Sequence, residues 1–175
     1  MERPSSFRTF EYFVRGSGRR LLRFAILMCG GPSHAEAVLQ TVLEQAYPRW
    51  NRLRDGDPER YVRRAIANRV ISRWRSPWVR RRVAEVPERA APGDEMARAD
   101  DRALLLRALR SLPPRMRAVV VMRYWVGWSE KETAEALGCS VGAVKSQSSR
   151  GLNRLRDLLS GAGPVSAGTS GGAAP

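Results

Sequence analysis

Apolar residues recur every three or four positions along most of the chain, which is the period of an amphipathic helix. The first such stretch covers residues 7–28 and stops at the Gly-Gly-Pro sequence of residues 30–32. The second covers residues 33–47, where Ser33 and Glu36 have the spacing of a capping box. The side chains expected to point inward from these two helices are Phe10, Val14, Leu21, Phe24, Ala25, Met28, Val38, Leu39, Val42 and Ala46.

A third helix is unusual in its charge. Asp57 suits an N-cap and Pro58 the first helical position, so we expect the helix to begin there. Between Arg60 and Arg82 the sequence holds nine arginines and no acidic residue. Since a solvated helix normally mixes both signs of charge, this run indicates an anionic partner. The inward side is predicted to hold Val62, Ile66, Val70 and Trp74, and another face Arg60, Arg64, Asn68 and Arg75. The interleaved aromatic side chains are compatible both with core packing and with stacking on unpaired bases, and they are Tyr61, Trp74 and Trp78.

The charge then reverses. Residues 85–101 hold six acidic residues against two arginines, with two prolines and a glycine. Such a composition cannot bury a core and predicts a flexible linker, which we place at residues 85–100. Apolar periodicity resumes over residues 101–160, and residues 161–175 are of low complexity and expected to be disordered. The predicted fold class is therefore all-α, with a small helical domain at residues 5–84 joined by the linker to a second, four-helix domain.

The second domain ends in two helices separated by a very short turn. Ser129 and Glu132 form a capping box at the start of one helix, and Gly138 suits the left-handed position that ends it. Ser140 then caps the next helix, so the turn consists of residues 138–140. Two helices joined by such a turn must cross steeply, as in a helix-turn-helix that binds duplex DNA.

The helix after Ser140 has one face suited to a major groove. A helical wheel places apolar residues inward and short or polar residues outward, where they are able to hydrogen-bond to base edges. Inward are Val141, Val144, Leu152, Leu155 and Leu159; outward are Ala143, Ser146, Gln147 and Arg150; on the flanks, suited to phosphates, are Lys145, Arg154 and Arg156. A plain helical hairpin with a solvated charged face is the alternative for this pattern taken alone.

The whole chain is strongly basic, with 31 Lys and Arg against 17 Asp and Glu and a formal net charge of +14. This charge favours a nucleic acid as the partner. The longest apolar runs, such as residues 24–29, are far too short to span a bilayer, and the N-terminus lacks the pattern of a signal peptide. We therefore expect a protein of the cytoplasm with no membrane insertion.

Residues suited to catalysis or metal binding are scarce. His34 is the one histidine, and near the start of a helix it is expected to be exposed. Cys29 and Cys139 are the two cysteines, and their surroundings favour buried reduced thiols over a disulfide. The sequence has no zinc-ligand cluster, conventional nucleophile arrangement or glycine-rich phosphate loop. It predicts a binding protein with no catalytic residue, no metal and no cofactor.

Three segments carry a resemblance to a known family. Residues 112–156 closely resemble the fourth conserved region of extracytoplasmic-function (ECF) sigma factors, the small two-domain sigma factors of bacterial RNA polymerase. Residues 57–75 resemble the part of their second region that melts and reads the minus-ten element, and residues 34–50 resemble their polymerase-docking helix. The match extends over about residues 7–158 in the expected order. It implies a factor that binds core polymerase, places it at a promoter and opens the DNA.

The resemblance also implies roles for single residues. Contacts with the minus-thirty-five element are implied for Lys145, Ser146, Ser149 and Arg150, to which the helical wheel adds Gln147 and Arg154. Contacts with the minus-ten element are implied for Arg64, Asn68, Arg73 and Trp74, to which the arginine-rich helix adds Arg60 and Tyr61. Docking on core polymerase is implied for Glu36, Gln40 and Glu44. The family usually has acids where Gly31 and Ala37 stand, which bears on the strength of docking and not on its location.

The resemblance implies two partners, promoter DNA and core RNA polymerase. The chain would contact the polymerase at the clamp helices of the largest subunit and at the flap of the second subunit. An anti-sigma factor is a further partner compatible with the family. A helix-turn-helix regulator that acts without core polymerase is the alternative. It accounts for residues 113–156 but gives no role to the arginine-rich helix or the two helices before it. A basic RNA-binding protein accounts for the charge but not for the capped recognition helix.

Overall fold

The computed structural model describes residues 5–73 and 95–160, with side chains described for residues 9–73 and 100–160. All elements within these ranges are helices or helical turns. Within the same ranges, no helix has the length and apolar character needed to cross a membrane. Residues 85–94 of the predicted linker and the whole predicted tail lie outside the described residues. The end of the linker was predicted wrongly, because residues 95–100 belong to the helix Glu95–Ser111, which continues the apolar periodicity of the second half back toward its N-terminal side.

The N-terminal half packs three long helices together. Its elements are α1 (Ser5–Cys29), α2 (Ala35–Ala46), the single-turn α3 (Trp50–Leu53) and α4 (Pro58–Arg73), with 3-10 turns at Pro32–His34 and Tyr47–Arg49. Helix α1 ends where Gly30 takes φ +74°, a conformation that glycine adopts without strain. The inward residues predicted for α2 are all buried, as are Val62, Ile66 and Val70 of α4.

The capping box predicted at Ser33 and Glu36 is wrong. Pro32 starts a 3-10 turn, so Ser33 already lies inside a helical turn and cannot cap α2. Helix α2 begins at Ala35 with His34 as its N-cap, and no side chain makes a hydrogen bond to that cap. His34 is exposed, as expected.

The capping predicted for α4 is confirmed, and a polar network holds this helix against α1. Asp57 Oδ1 accepts a hydrogen bond from the amide of Arg60 at 2.9 Å. The carboxylate of Glu59 accepts hydrogen bonds from Ser17 Oγ at 3.2 Å and Arg20 Nη2 at 3.0 Å, and another from Arg63. The hydrogen bond from Arg20 lowers the pKa of Glu59. This network holds the orientation of α4 about its axis, and with it the arginines that α4 presents to solvent.

The C-terminal half consists of the predicted four-helix arrangement. Its elements are α5 (Glu95–Ser111), α6 (Pro114–Val120) with a π-helical continuation at Val121–Val126, α7 (Glu130–Leu137) and α8 (Val141–Leu159). The π-helical segment ends at Gly127, which takes φ +84°. Helix α8 packs against both α6 and α7.

One hydrophobic cluster runs through both halves. Phe24 and Met28 of α1 belong to the same group of buried side chains as Val119 of α6 and Met122. Helix α1 contacts α5 and α6, and α4 contacts α6 and α7. Contact between the halves was not predicted, because the apolar stripe of a helix shows which side is buried but not which other helix covers it.

Candidate nucleic-acid interface

The predicted helix-turn-helix is present as α7 and α8. Ser129 Oγ accepts a hydrogen bond from the Glu132 amide at 3.1 Å, and Glu132 Oε2 accepts one from the Ser129 amide at 2.8 Å. Gly138 takes φ +59°, and Ser140 Oγ accepts a hydrogen bond from the Ala143 amide at 3.1 Å. The capping box, the glycine stop and the second cap are therefore confirmed.

The outward face of α8 carries the residues predicted to read DNA. Arg150 is exposed and its Nη2 donates a hydrogen bond to Ser146 Oγ at 2.9 Å, so these two side chains lie together. Gln147 is half-buried, and Lys145 is exposed with its Nζ 3.7 Å from Glu130 Oε2. The remaining predicted contacts with DNA, Ser149 and Arg154, are exposed. This face presents hydrogen-bonding groups and positive charge, as a recognition helix requires.

The inward face of α8 differs from the prediction. Placing Val141 and Leu159 inward was wrong, because they lie at the two ends of the helix and are 39% and 43% exposed. Sequence reasoning missed Ser148 and Gly151, which are buried. At Gly151, α8 approaches α6 so closely that an added Cβ would lie 2.6 Å from Val120 Cγ2. Two small residues three positions apart were the sequence signal for this close approach. The buried residues of α8 are Val144, Ser148, Gly151 and Leu155.

The arginine-rich helix α4 presents part of its predicted face to solvent. Arg64 and Arg73 are exposed. Tyr61 is half-buried and packs against the hydrophobic core, which favours core packing for this aromatic side chain. Trp74 and Trp78 lie outside the described residues.

Arg60 and Asn68 of α4 also contact the C-terminal half, although Asn68 is exposed and Arg60 is half-buried. Arg60 Nη1 donates a hydrogen bond to Glu132 Oε1 at 2.7 Å, and the Arg60 guanidinium carbon lies 4.9 Å from the ring centroid of Trp128. Asn68 Nδ2 donates a hydrogen bond to the carbonyl oxygen of Ala136 at 3.5 Å. Hydrogen bonds within the capping box, followed by the one from Arg60, lower the pKa of Glu132 to about 2. Two of the side chains predicted to contact the minus-ten element therefore contact α7.

The predicted docking residues lie together along one edge of α2. Glu36, Gln40 and Glu44 are all exposed, and Gln40 Nε2 donates a hydrogen bond to Glu44 Oε1 at 3.0 Å. They border a groove of about 800 Å³ between α1 and α2. The sequence analysis missed this groove. It had placed Phe10 and Val14 on the apolar stripe of α1, and that stripe lines the groove. Its apolar lining residues are Phe10, Val14, Leu22, Leu39, Leu43 and Tyr47. An apolar floor beside acidic side chains suits a protein partner that offers basic and apolar side chains.

The cysteines and acidic residues do not gather into a metal site. Across residues 9–73 and 100–160, no three His, Cys, Asp or Glu side chains come together as a metal ion would require. Cys29 and Cys139 are both free and half-buried. Burial raises the pKa of the Cys29 thiol to about 11, which leaves the thiol protonated at neutral pH.

Comparisons with known proteins agree with this arrangement. A family model described as sigma-70, region 4, matches residues 102–155. The RNA polymerase sigma-E factor of Streptomyces coelicolor is 41% identical over 155 residues, which cover 86% of this chain and 85% of that protein. The ECF RNA polymerase sigma factor SigL of Mycobacterium tuberculosis is 33% identical over 148 residues, which cover 79% of this chain and 82% of that protein. The solved sigma factor RpoE from Bartonella quintana, in complex with the anti-sigma factor NepR, has a TM-score of 0.64 at 23% identity and covers 86% of this chain and 96% of that one.

The alignments with relatives are too long to rest on the helix-turn-helix alone. They include the N-terminal half, for which a helix-turn-helix regulator acting without polymerase offers no counterpart. The chain belongs to the extracytoplasmic-function sigma factors of bacterial RNA polymerase. It is thus a transcription initiation factor that binds core RNA polymerase and directs it to promoter DNA.

Proposed function

We propose that the two halves of the chain divide promoter recognition between them. Residues 5–84 dock on the clamp helices of the largest polymerase subunit and read and open the minus-ten element. Residues 101–160 read the minus-thirty-five element and contact the flap of the second subunit, and residues 85–100 connect the two. The observation that carries the proposal is the presence of an exposed basic helical face in each half, on α4 and on α8, together with the separate acidic docking edge on α2.

Physical reasons support a requirement for the polymerase. A single recognition helix contacts only a few base pairs, and much of its affinity comes from phosphates, which carry no sequence information. Two weak contacts strengthen each other when they are held at the spacing of their targets, and a flexible linker gives only a limited effective concentration for the second contact. Core polymerase is large enough to hold both halves in that way, so specificity belongs to the complex.

The minus-thirty-five role of α8 is tested at Arg150. We expect Arg150→Ala to weaken discrimination between matched and mismatched elements by about 1–3 kcal/mol, since a bidentate guanidinium reads one base pair. Lys145→Ala is the matched control on the same helix, and we expect it to weaken binding evenly, since its ammonium suits phosphate contacts. The measurement is binding of the sigma–polymerase complex to single-base variants of the minus-thirty-five element. Equal loss on all variants for Arg150→Ala would contradict its role in base reading.

The opening role of α4 is tested with duplex and premelted templates. We expect Asn68→Ala combined with Trp74→Ala to reduce transcription from duplex promoters by about tenfold, because stacking of an unpaired base contributes about 1–3 kcal/mol. A premelted promoter should restore part of that activity. Asn51→Ala is the control, since Asn51 is exposed in the same half and outside the predicted face. A large fall in unfolding temperature with no rescue by premelting would show that these side chains serve the core instead.

We infer that the chain has no catalytic activity of its own and that it acts in the cytoplasm at the nucleoid.

We further infer that an anti-sigma protein regulates this factor. The Bartonella neighbour that shares the fold was solved with an anti-sigma factor bound. In this chain the acidic edge of Glu36, Gln40 and Glu44 is open to solvent. A protein that covered this edge would prevent docking on core polymerase. The measurement is the binding of this factor to core polymerase with and without that protein, and we expect binding to be lost when it is added.

A further inference from the structure

Two glycines lie in the middle of α1, where the helix gains nothing from them. Gly16 and Gly18 are both well inside the helix Ser5–Cys29. Glycine is among the poorest helix formers, so the pair weakens α1. An added Cβ at either position would have no atom of the described residues within 4 Å, and neither glycine takes a positive φ. The described part of the chain therefore gives no reason for the absence of a side chain at these positions.

The two glycines lie on different sides of α1. Residues two positions apart are separated by about 200° around a helix axis. Arg20, one turn after Gly16, donates hydrogen bonds to Glu59, so this side of α1 is turned toward α4. Leu22, one turn after Gly18, lines the groove between α1 and α2, as Gly18 itself does. Gly18 thus opens into the groove, whereas Gly16 is exposed outside it.

The groove has the shape that a helix fills. Helix α1 lines it from Phe10 to Leu22, a length of about 18 Å at 1.5 Å per residue, which equals about three helical turns. Its floor is apolar, and α2 borders it with the exposed acids Glu36 and Glu44. A helix with an apolar stripe, and with basic side chains on the side turned toward α2, therefore matches the groove in length, floor and charge.

Gly18 determines how closely such a helix approaches α1. It lies one turn from Val14 and one turn from Leu22, near the middle of the α1 wall. The axes of packed helices lie roughly 8–10 Å apart, at a distance set by the side chains at the contact. With glycine at the contact, the docked helix is able to rest against the backbone of α1.

We propose that a helix of core RNA polymerase lies in this groove and crosses α1 at Gly18, which makes Gly18 a positioning residue for docking. The proposal rests on the proposed function, in which the edge of Glu36, Gln40 and Glu44 docks on core polymerase, because those three residues also line the groove. Helix α1 then supplies a second wall to the docking site. The weakening of α1 by glycine is offset in the complex by the closer contact.

The test compares leucine at the two glycines. Gly18→Leu places a side chain in the groove, and Gly16→Leu places the same side chain on the same helix outside it. Both variants should be at least as stable to heat as the unchanged protein, since leucine is the better helix former and no described atom crowds either position. In an equilibrium titration with core polymerase, we expect Gly18→Leu to bind about tenfold more weakly or worse, because the contact is overpacked. Gly16→Leu should bind as the unchanged protein does.

A second measurement shows whether Gly18 is covered in the complex. Gly18→Cys and Gly16→Cys each add one thiol, and the half-buried Cys29 and Cys139 give the background labelling. With saturating core polymerase, we expect labelling of Gly18→Cys by a maleimide to fall to that background. Labelling of Gly16→Cys should remain. The labelled chain is separated from the polymerase subunits on a denaturing gel.

Three results would count against the proposal. Equal polymerase affinities for the two leucine variants, or equal labelling of the two cysteine variants in the complex, would overturn the role of Gly18 while leaving the docking edge in place. Loss of self-association with Gly18→Leu, at unchanged polymerase affinity, would show that the groove takes a second copy of this chain instead. Failure of the unchanged protein to bind core polymerase would overturn the proposed function together with this inference.

Discussion

Reversing two charges of the docking edge, with Glu36→Lys and Glu44→Lys, is expected to weaken binding to core polymerase by roughly a hundredfold. A like-charge contact in an interface costs several kcal/mol, and about 1.4 kcal/mol at each position is enough for this loss. Both side chains are exposed, so the fold should survive the change. The measurement is an equilibrium titration of labelled protein with core polymerase, alongside a thermal melt.

A variant of equal charge controls for the change in net charge. Glu11 and Asp55 are acids of the N-terminal half whose side chains are 44% and 79% exposed, and both lie outside the residues lining the groove. Glu11→Lys combined with Asp55→Lys should therefore bind core polymerase nearly as well as the unchanged protein. Equal losses for the two double variants would show that net charge, and not the α2 edge, determines the affinity.

The largest effect on stability is expected for Gly151→Val. Since even a Cβ would lie 2.6 Å from Val120 Cγ2 and 3.1 Å from Met116 Cγ, a valine forces α8 away from α6. Overpacking of this kind costs about 1–3 kcal/mol, and the recognition helix would lose its support. We expect a clear fall in Tm by circular dichroism and loss of minus-thirty-five recognition.

Gly142→Ala is the control for that substitution. Gly142 lies in the first turn of the same helix, and the nearest atom to its added Cβ is Ser140 Oγ at 3.9 Å. Alanine should therefore stabilise the helix by up to about 1 kcal/mol through its higher helix propensity. A Gly151→Val variant as stable as Gly142→Ala would contradict the close contact between α6 and α8.

The sequence predicted local features well where a single side chain decides them. The capping box of Ser129 and Glu132, the stop at Gly138 and the cap at Ser140 were all readable, because each depends on residues within one helical turn. At Ser33 the same reasoning failed, because the preceding proline started a turn of its own. A capping motif therefore needs its flanking residues to be considered as well.

Features that depend on distant parts of the chain were not predictable in this way. The groove between α1 and α2 and the burial of Arg117 arise from helices that meet only in the folded chain. The contacts of Arg60 and Asn68 with α7 were unpredictable for the same reason. Periodicity places both residues on a face of α4 but does not identify the helix that packs against that face. The candidate DNA contacts came from composition and resemblance, and their roles stay predictions.

The central claim, that specific promoter recognition belongs to the complex with core polymerase, is tested most directly by footprinting combined with run-off transcription. Promoters for the test are found by run-off from a genomic fragment library with the same purified core. We expect the free protein to bind promoter DNA weakly and with a strong salt dependence, and the complex to protect both promoter elements and make RNA. Tight, sequence-specific binding by the free protein, with no RNA on adding core polymerase, would contradict the account.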